Sequence, residues 1–572
     1  MRARLGIVAL MAAGALVAPA AASAHAYIVR ASPGESQILE SSPGQVALTY
    51  DEAVEPRFAR ISVTDEHGRE LTTGRVARSP ANPDTLVVPL RPKLPSGWYL
   101  VYWRAISVDG HPVQGGYEFA VGPTPGKPPE FTQPRTTGSA TSPDAIVTRW
   151  LAFLSVMTAI GLFVLRIAIA RPLVRRVEGT TLRPLTVAFA VAAGIALLAV
   201  PVYLDVATAI DSLESAFSVG SLVPLFRVTA FGRAWVDVEL CFALFCAAAA
   251  VALWLDRPDR PRRSVAELIA GLGAVLAAAA VLLIPGLAGH AAQTAPRGLS
   301  LLFDWSHLVA GSLWLGGLGG LLVLAAALPA GRRVAGLGVC IPRFSNVAFV
   351  SVLVLLGSGV GASILHLPLL AALWQTSYGV AILVKAGLLG AALVLGAVNL
   401  LWTRPRLAAA GESAGPAARL LRRTIGLEVA LVTGAVLAAA ILSSLPPPPA
   451  AFAAASSKLA TVGPGPVSSV VRAGGYSLAL RISPNRVGVA NSFAVGLSRN
   501  GTPVTGADVT LVFNMLEMQM GQLEYQLVET SPGVYTRRAP ALVMAGRWSL
   551  AFTVTPKRGT PFSALVVDHT TG

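Results

Sequence analysis

Two kinds of apolar patterning divide the chain into three stretches. From His25 to about Gly122 the apolar positions come in short alternating runs, Val46–Tyr50, Ala59–Val63, Thr85–Val88, Tyr99–Trp103 and Tyr117–Val121, broken by Pro, Gly, Asn and Asp at turn-like intervals. That pattern predicts an antiparallel β-sandwich or barrel. From Ile146 to Leu445 the runs become continuous and long, at 147–170, 184–205, 236–255, 265–286, 300–327, 344–365, 378–401 and 424–444. Each approaches the roughly 20 apolar residues that cross a bilayer as a helix, so 146–445 reads as an α-helical polytopic membrane domain of about eight spans. Alternation then returns in Ser477–Ile482, Ser492–Leu497, Asp508–Phe513, Gly533–Arg537 and Trp548–Val554, which predicts a second small all-β sandwich over 476–556 followed by a tail, 557–572. A Pro/Gly/Thr/Ser stretch at 123–145 and a Pro, then Ala/Ser/Gly, stretch at 446–475 read as flexible tethers.

Residues 1–24 carry Arg2 and Arg4, an apolar run from Leu5 to about Ala22, and the small-x-small ending Ala22-Ser23-Ala24. This is the layout of a secretory signal peptide, whose removal leaves His25 at the N-terminus; an uncleaved anchor helix is the alternative. Under either reading the first β-domain is exported. The loops between spans agree. Arg occurs four times in 171–183, four in 256–263, three in 331–343 and five in 402–423, against Arg227, Arg233 and Arg297 in the opposite loops. That asymmetry puts the Arg-rich loops in the cytoplasm and both termini outside.

Of the 572 residues 53% are hydrophobic and only 13% charged, half the usual share for a soluble domain, so the class is membrane protein. The formal net charge of +15 sits in short loops as a topology signal, and no nucleic-acid partner is required to explain it. Three cysteines, Cys241, Cys246 and Cys340, form no CxxC pair, which sets aside disulfide, zinc-ribbon and thiol redox functions.

Few residues can do chemistry. A mature N-terminal His25 offers an α-amine and Nδ1 on one residue, able to chelate a single metal ion. Asp109 and His111, two apart, face the same side of an extended backbone. Nitrogen and oxygen donors of this kind suit a tetragonal Cu(II) site; alternatively Asp109-Gly110 is a hairpin turn and His111 a surface residue. In the helical region His290, Asp304, His307 and His366 fall toward the outer leaflet, and Asp304, His307 and Trp314 share one helix face. Ionisable side chains at that depth are costly and usually functional; the alternative has Asp304 and His307 hydrogen-bonding each other as a helix clamp. Met515, Met518 and Met520, with Met544 further on, are thioethers that select Cu(I), or else core side chains. No nucleotide-binding loop or nucleophile–base pair occurs, so no enzymatic activity is expected.

The sequence also resembles known families. Ser32-Pro33-x-x-x-Ser36, Tyr50-Asp51-Glu52-x-Val54, and Gly97-x-Tyr99-x-Val101-x-Trp103-Arg104-x-x-Ser107-x-Asp109-Gly110-His111-Pro112-Val113-x-Gly115, following His25, resemble the CopC copper-binding domain across nearly all of 25–122. The resemblance implies Cu(II) ligation by His25, Asp109 and His111, with Glu52 where some members add a carboxylate; the Met-rich Cu(I) site of some members has no counterpart, since 25–122 contains no Met. Gly289-His290, Asp304-x-x-His307, Trp314-x-Gly316-Gly317, Arg343-Phe344-Ser345, Lys385 and Asn399 resemble CopD, the membrane family also found fused to CopC. Met515-x-x-Met518-x-Met520 with Gly533-x-Tyr535 and Met544-x-Gly546-x-Trp548 resembles the YtkA-like or FixH-like domain. Together these imply copper handling at a bacterial cytoplasmic membrane: Cu(II) captured outside and passed inward, with Cu(I) at the Met cluster and other periplasmic copper chaperones as partners. A membrane haem or quinone redox protein with His290 and His307 as haem ligands, and a copper-sequestering resistance protein, are the rival readings.

Overall fold

The computed structural model describes residues 28–571 except 35–36, 51–53, 55, 107–111, 124–141, 213–229, 368–369, 371, 409–413, 446–459, 488, 517–522, 540, 543–544 and 558. The N-terminal domain is a sandwich of two four-stranded sheets. One has the order β1 (Ile28–Ser32), β3 (Gln45–Tyr50), β6 (Thr85–Pro89), β5 (Ala77–Arg78); the other β2 (Ile38–Leu39), β8 (Pro112–Val121), β7 (Gly97–Ile106), β4 (Arg60–Asp65). Alternation decides what is inside: Val46, Leu48 and Tyr50 point inward from β3 and meet Val101, Trp103 and Phe119 from the facing sheet. Tyr50 and Trp103 close that core edge to face, with ring centroids 6.0 Å apart. The long β7–β8 hairpin is paired from Gly97↔Val121 to Ile106↔Pro112.

Among the described residues eight helices long and apolar enough to cross a membrane follow: α1 (Pro143–Val164), α2 (Arg183–Ser212), α3 (Ala230–Leu255), α4 (Val265–Ala288), α5 (Arg297–Ala327), α6 (Ala330–His366), α7 (Ser377–Val398) and α8 (Ala414–Leu442). Leu198, Leu244, Trp254, Leu272 and Ile364 point outward, as side chains bordering hydrocarbon do, while Phe163, Phe242, Phe245 and Leu318 fill the centre. An even number of crossings puts both β-domains at one end of the bundle, the domain side, and the Arg-rich connections at the other. The tightest crossing is α1 on α5. A Cβ on Gly316 would lie 2.5 Å from Gly161 Cα, so only paired glycines permit the approach. On the Arg-rich side, buried Asp256 accepts from Arg166 and, at 2.9 Å, from Arg171 Nε, tying the end of α1 to the α3–α4 connection. There Ser264 and Glu267 cap α4 reciprocally.

The sequence reading places a basic loop at 331–343, and the structure makes that segment the first three turns of the 37-residue α6. Arg332, Arg333 and Arg343 masked the helix; its buried face is Leu337, Cys340 and Ile341.

The C-terminal domain is one continuous antiparallel-rich sheet of ten strands folded around its own core: β10 (Val467–Ala473), β11 (Tyr476–Ser483), β12 (Asn491–Arg499), β16 (Val534–Ala539), β15 (Leu523–Ser531), β14 (Asp508–Met515), β17 (Gly546–Thr555), β18 (Phe562–Thr570), β9 (Ala460–Val462), with β13 (Thr502–Pro503) on β12. Phe493 of one half meets Phe513 of the other at 4.8 Å between centroids. The domain reaches beyond the expected 476–556, because β9 and β10 lie in the stretch read as tether and β18 in the stretch read as tail. Small residues hid the first two, and the run Ala564-Leu565-Val566-Val567 is buried rather than terminal. Beside β18, Asn485 Nδ2 donates to Asp568 Oδ1 at 2.9 Å, while Asn485 Oδ1 and Asp568 Oδ2 are buried with no hydrogen-bond partner.

This domain docks on the bundle. Leu516, Ala551, Leu565 and Val567 cluster with Ala372 and Leu367 in the α6–α7 connection, and Arg547 Nη2 donates to Ser377 Oγ, 2.8 Å away at the start of α7. Leu523 packs against the N-terminal core, and Phe58 of that domain joins the helical core.

Candidate functional site

The described polar constellation of the bundle lies where α4, α5, α6 and α7 meet, on the domain side. His307 is ten residues into α5, Lys385 eight into α7, and Ser358 eight before the end of α6, so all three lie about 12–15 Å below the same end. His307 Nδ1 is 3.0 Å from Ser358 Oγ and Nε2 is 3.3 Å from Lys385 Nζ. The network fixes the tautomer. Ser358 has one proton and gives it to the Val354 carbonyl at 2.6 Å, so its oxygen accepts from Nδ1–H and Nε2 keeps its lone pair, directed at the Lys385 ammonium. Gly359 leaves the imidazole room; a Cβ there would come to 3.5 Å from Cε1.

Asp304, one turn before His307, turns toward α4. A Cβ on Gly286 would lie 2.6 Å from Asp304 Oδ2, so the carboxylate occupies the notch that glycine leaves next to Pro285 within α4. Asp304 also interacts electrostatically with Lys385 and with Tyr378, one α7 heptad above Lys385. The alternative of an Asp304–His307 clamp is not what forms: the ring nitrogens of His307 are held by Ser358 and Lys385, and the carboxylate interacts with the same lysine. Nearer the domain side, His366 at the end of α6 donates Nδ1–H to the Ala362 carbonyl at 2.7 Å, and its Nε2 lies 3.2 Å from Thr294 Oγ1. His290 begins the helical turn His290–Gln293 just after α4.

The other sequence candidates divide in two. Met515 is described and is a core side chain of β14, buried opposite Trp548. His25, Glu52, Asp109, His111, Met518, Met520 and Met544 lie outside the described residues. Among the described residues no group of three or more His, Cys, Asp and Glu gathers as a metal cage. The membrane site thus presents one imidazole nitrogen and one carboxylate around a resident ammonium. Sequence reading missed Ser358 and Gly286. Ser358 is signalled only as a hydroxyl in an apolar span, and Gly286 only as a glycine after a proline.

Comparison with known proteins divides the chain as the fold does. The family model described as CopC domain matches residues 28–122, Copper resistance protein D-like, N-terminal domain, matches 141–299, Copper resistance protein D matches 339–442, and YtkA-like matches 472–553. The chain is 29% identical over 536 residues to Copper transport protein CutJ of Bacillus subtilis, covering 93% of both. It is 32% identical over 123 residues to Copper resistance protein C of Pseudomonas syringae pv. tomato, covering 21% of this chain and 96% of that one. The solved CopC from Methylosinus trichosporium OB3b is 34% identical, covering 18% of this chain and 99% of its own, with a TM-score of 0.17 over the whole chain.

Proposed function

We propose that this chain, which joins CopC, copper resistance protein D and YtkA-like domains and is 29% identical over 93% of its length to a copper transport protein, carries copper inward across the bacterial cytoplasmic membrane, as a transporter rather than an enzyme. In this reading both β-domains face the outside. The N-terminal domain takes up Cu(II) through His25, Asp109 and His111, with Glu52 nearby, and the Met-bearing C-terminal domain handles Cu(I). The membrane domain accepts the ion at His307 and Asp304, with His290 at the mouth. A copper ion would take the His307 Nε2 lone pair in place of the Lys385 ammonium, so the lysine keeps the unloaded site neutral and its imidazole aimed.

One observation carries this reading: an imidazole with a fixed tautomer and an available nitrogen, paired with a carboxylate and a displaceable cation, about 12–15 Å inside the bundle end on which the C-terminal domain is docked. Second, a hydrogen bond to Nδ1 of this kind is what orients imidazole ligands elsewhere. The test is His307→Ala in proteoliposomes supplied with Cu(I) kept reduced by ascorbate. Uptake per folded molecule should fall at least tenfold, with thermal stability retained and, in a separate sample without ascorbate, Cu(II) binding by the N-terminal domain unchanged. Uptake equal to that of the parent chain would refute the site.

A further inference from the structure

A second polar station lies on the same face of α7, toward the Arg-rich side. Tyr378, Lys385, Ala392 and Asn399 are spaced by seven, so they form one slowly drifting stripe. The first is buried, the second holds His307 and the third is fully buried. Asn399 is about 21 Å beyond Lys385 along the helix. It opens a π-helical turn, Asn399–Thr403, a local widening that is frequent at functional sites.

The Asn399 side chain is tied at both of its polar atoms. Its Nδ2 donates to Glu428 Oε1 of α8, and its Oδ1 accepts from Thr424 at 2.7 Å and from Thr403 at 3.4 Å. Glu428 is 2% exposed, and its second oxygen looks toward Gly396, whose missing side chain leaves the space open. No salt bridge among the described residues reaches this carboxylate. The charged groups on the elements packed against α8 are engaged elsewhere or turned away, Arg419 of α8 among them, apart from half-buried Arg404 just past the π-helical turn, which forms no ion pair with Glu428 among the described residues. Lys385 is on His307, Arg149 of α1 on Tyr203 and Ser443, and Arg166 on Asp256. Arg343 of α6 binds the Val339 carbonyl, Arg406 the Trp402 carbonyl, and Arg422 and Arg423 of α8 itself are exposed. A charged carboxylate at this depth without a counter-charge is costly, whereas Asn399 and two threonines form a neutral cradle that orients it.

We propose that Glu428 is a proton-binding station on the copper path, gaining a proton as the carboxylic acid and releasing it as the carboxylate during each passage, so that copper movement is coupled to the pH gradient. The proposal rests on the reading of the helical domain as a copper carrier. The ligand is a proton rather than copper, because the cradle offers only hard oxygen atoms and a single carboxylate.

The test uses the full chain in proteoliposomes with Cu(I) kept reduced by ascorbate. With one proton per copper, a gradient of one pH unit should change steady-state accumulation about tenfold, since each tenfold ratio is about 1.4 kcal/mol. Glu428→Gln keeps the acceptor for Asn399 and should leave downhill copper flux while abolishing the pH-gradient effect; Glu428→Asp should restore part of it. Independently of transport, the infrared difference spectrum between acid and alkaline samples should contain a buried carboxylic-acid band that E428Q lacks. Gradient-dependent accumulation that persists in E428Q, absence of that band from the parent chain, or replacement of the pH gradient by a sodium gradient would each overturn the assignment. Absence of any copper flux in the parent chain would instead overturn the carrier reading.

Discussion

Asp568 should make the C-terminal domain more stable in acid than at neutral pH. Its side chain is fully buried on β18, and burial pushes its pKa from the ordinary 3.8 up to about 6, with the Asn485 amide only partly offsetting this. The folded state therefore holds the proton more tightly than the unfolded chain. The stabilisation is fully present below about pH 4 and is lost as pH rises through about 6. A rise of this size corresponds to about 3 kcal/mol. For a domain of this length that shifts a urea midpoint by about 1–2 M. Met515, buried in the same core, supplies the readout in the intact protein: peroxide oxidises it only when the domain opens, and peptide mass spectrometry follows that across a urea series at pH 4.5 and 7.5. Asp568→Asn imitates the protonated acid, because its amide can donate to the partnerless Asn485 Oδ1. The variant should show a midpoint nearly independent of pH and exceed the parent chain at pH 7.5. Equal pH dependence in parent and variant would refute the reasoning.

Two further outcomes are expected. Gly316→Val should destroy folded yield, because its side chain meets the backbone of Gly161, which cannot step aside; Gly319→Val, where a Cβ meets nothing within 4 Å, should be tolerated, and size-exclusion profiles in detergent distinguish the two. A cysteine at exposed Glu178, in a background without the three native cysteines, should resist an impermeant thiol reagent in intact cells and react after lysis; labelling from outside would reverse the proposed topology.

The three-part organisation was legible because the period changes at each boundary, from alternation to long apolar runs and back. Alternation in Val46–Tyr50 fixes a strand face, and apolar runs of bilayer length fix the spans. The boundaries were less visible where composition opposed structure. Arg332 and Arg343 looked like a loop because charge outweighed the buried face of Leu337 and Cys340, and Val467–Ala473 looked like a tether because Ser and Ala carry little β signal. At the site, the depth of Asp304 and His307 was readable from position alone. Their partners were not, since Ser358, Lys385 and Gly286 come from three other helices and side-chain pairing across helices leaves no local period. Glu428 was visible as an acid in an apolar span, but its tie to Asn399 depends on how α7 and α8 pack.

The contact of Leu523 with the N-terminal core joins residues about 400 positions apart, and the dock of the same domain on Ala372 and Ser377 needs α6 and α7 already in place. During synthesis the C-terminal domain leaves the ribosome last, when the surfaces that receive it have been made. Its docking is therefore the closing event of assembly, and a chain truncated before β14 would leave the mouth of the bundle uncovered while all eight spans are present.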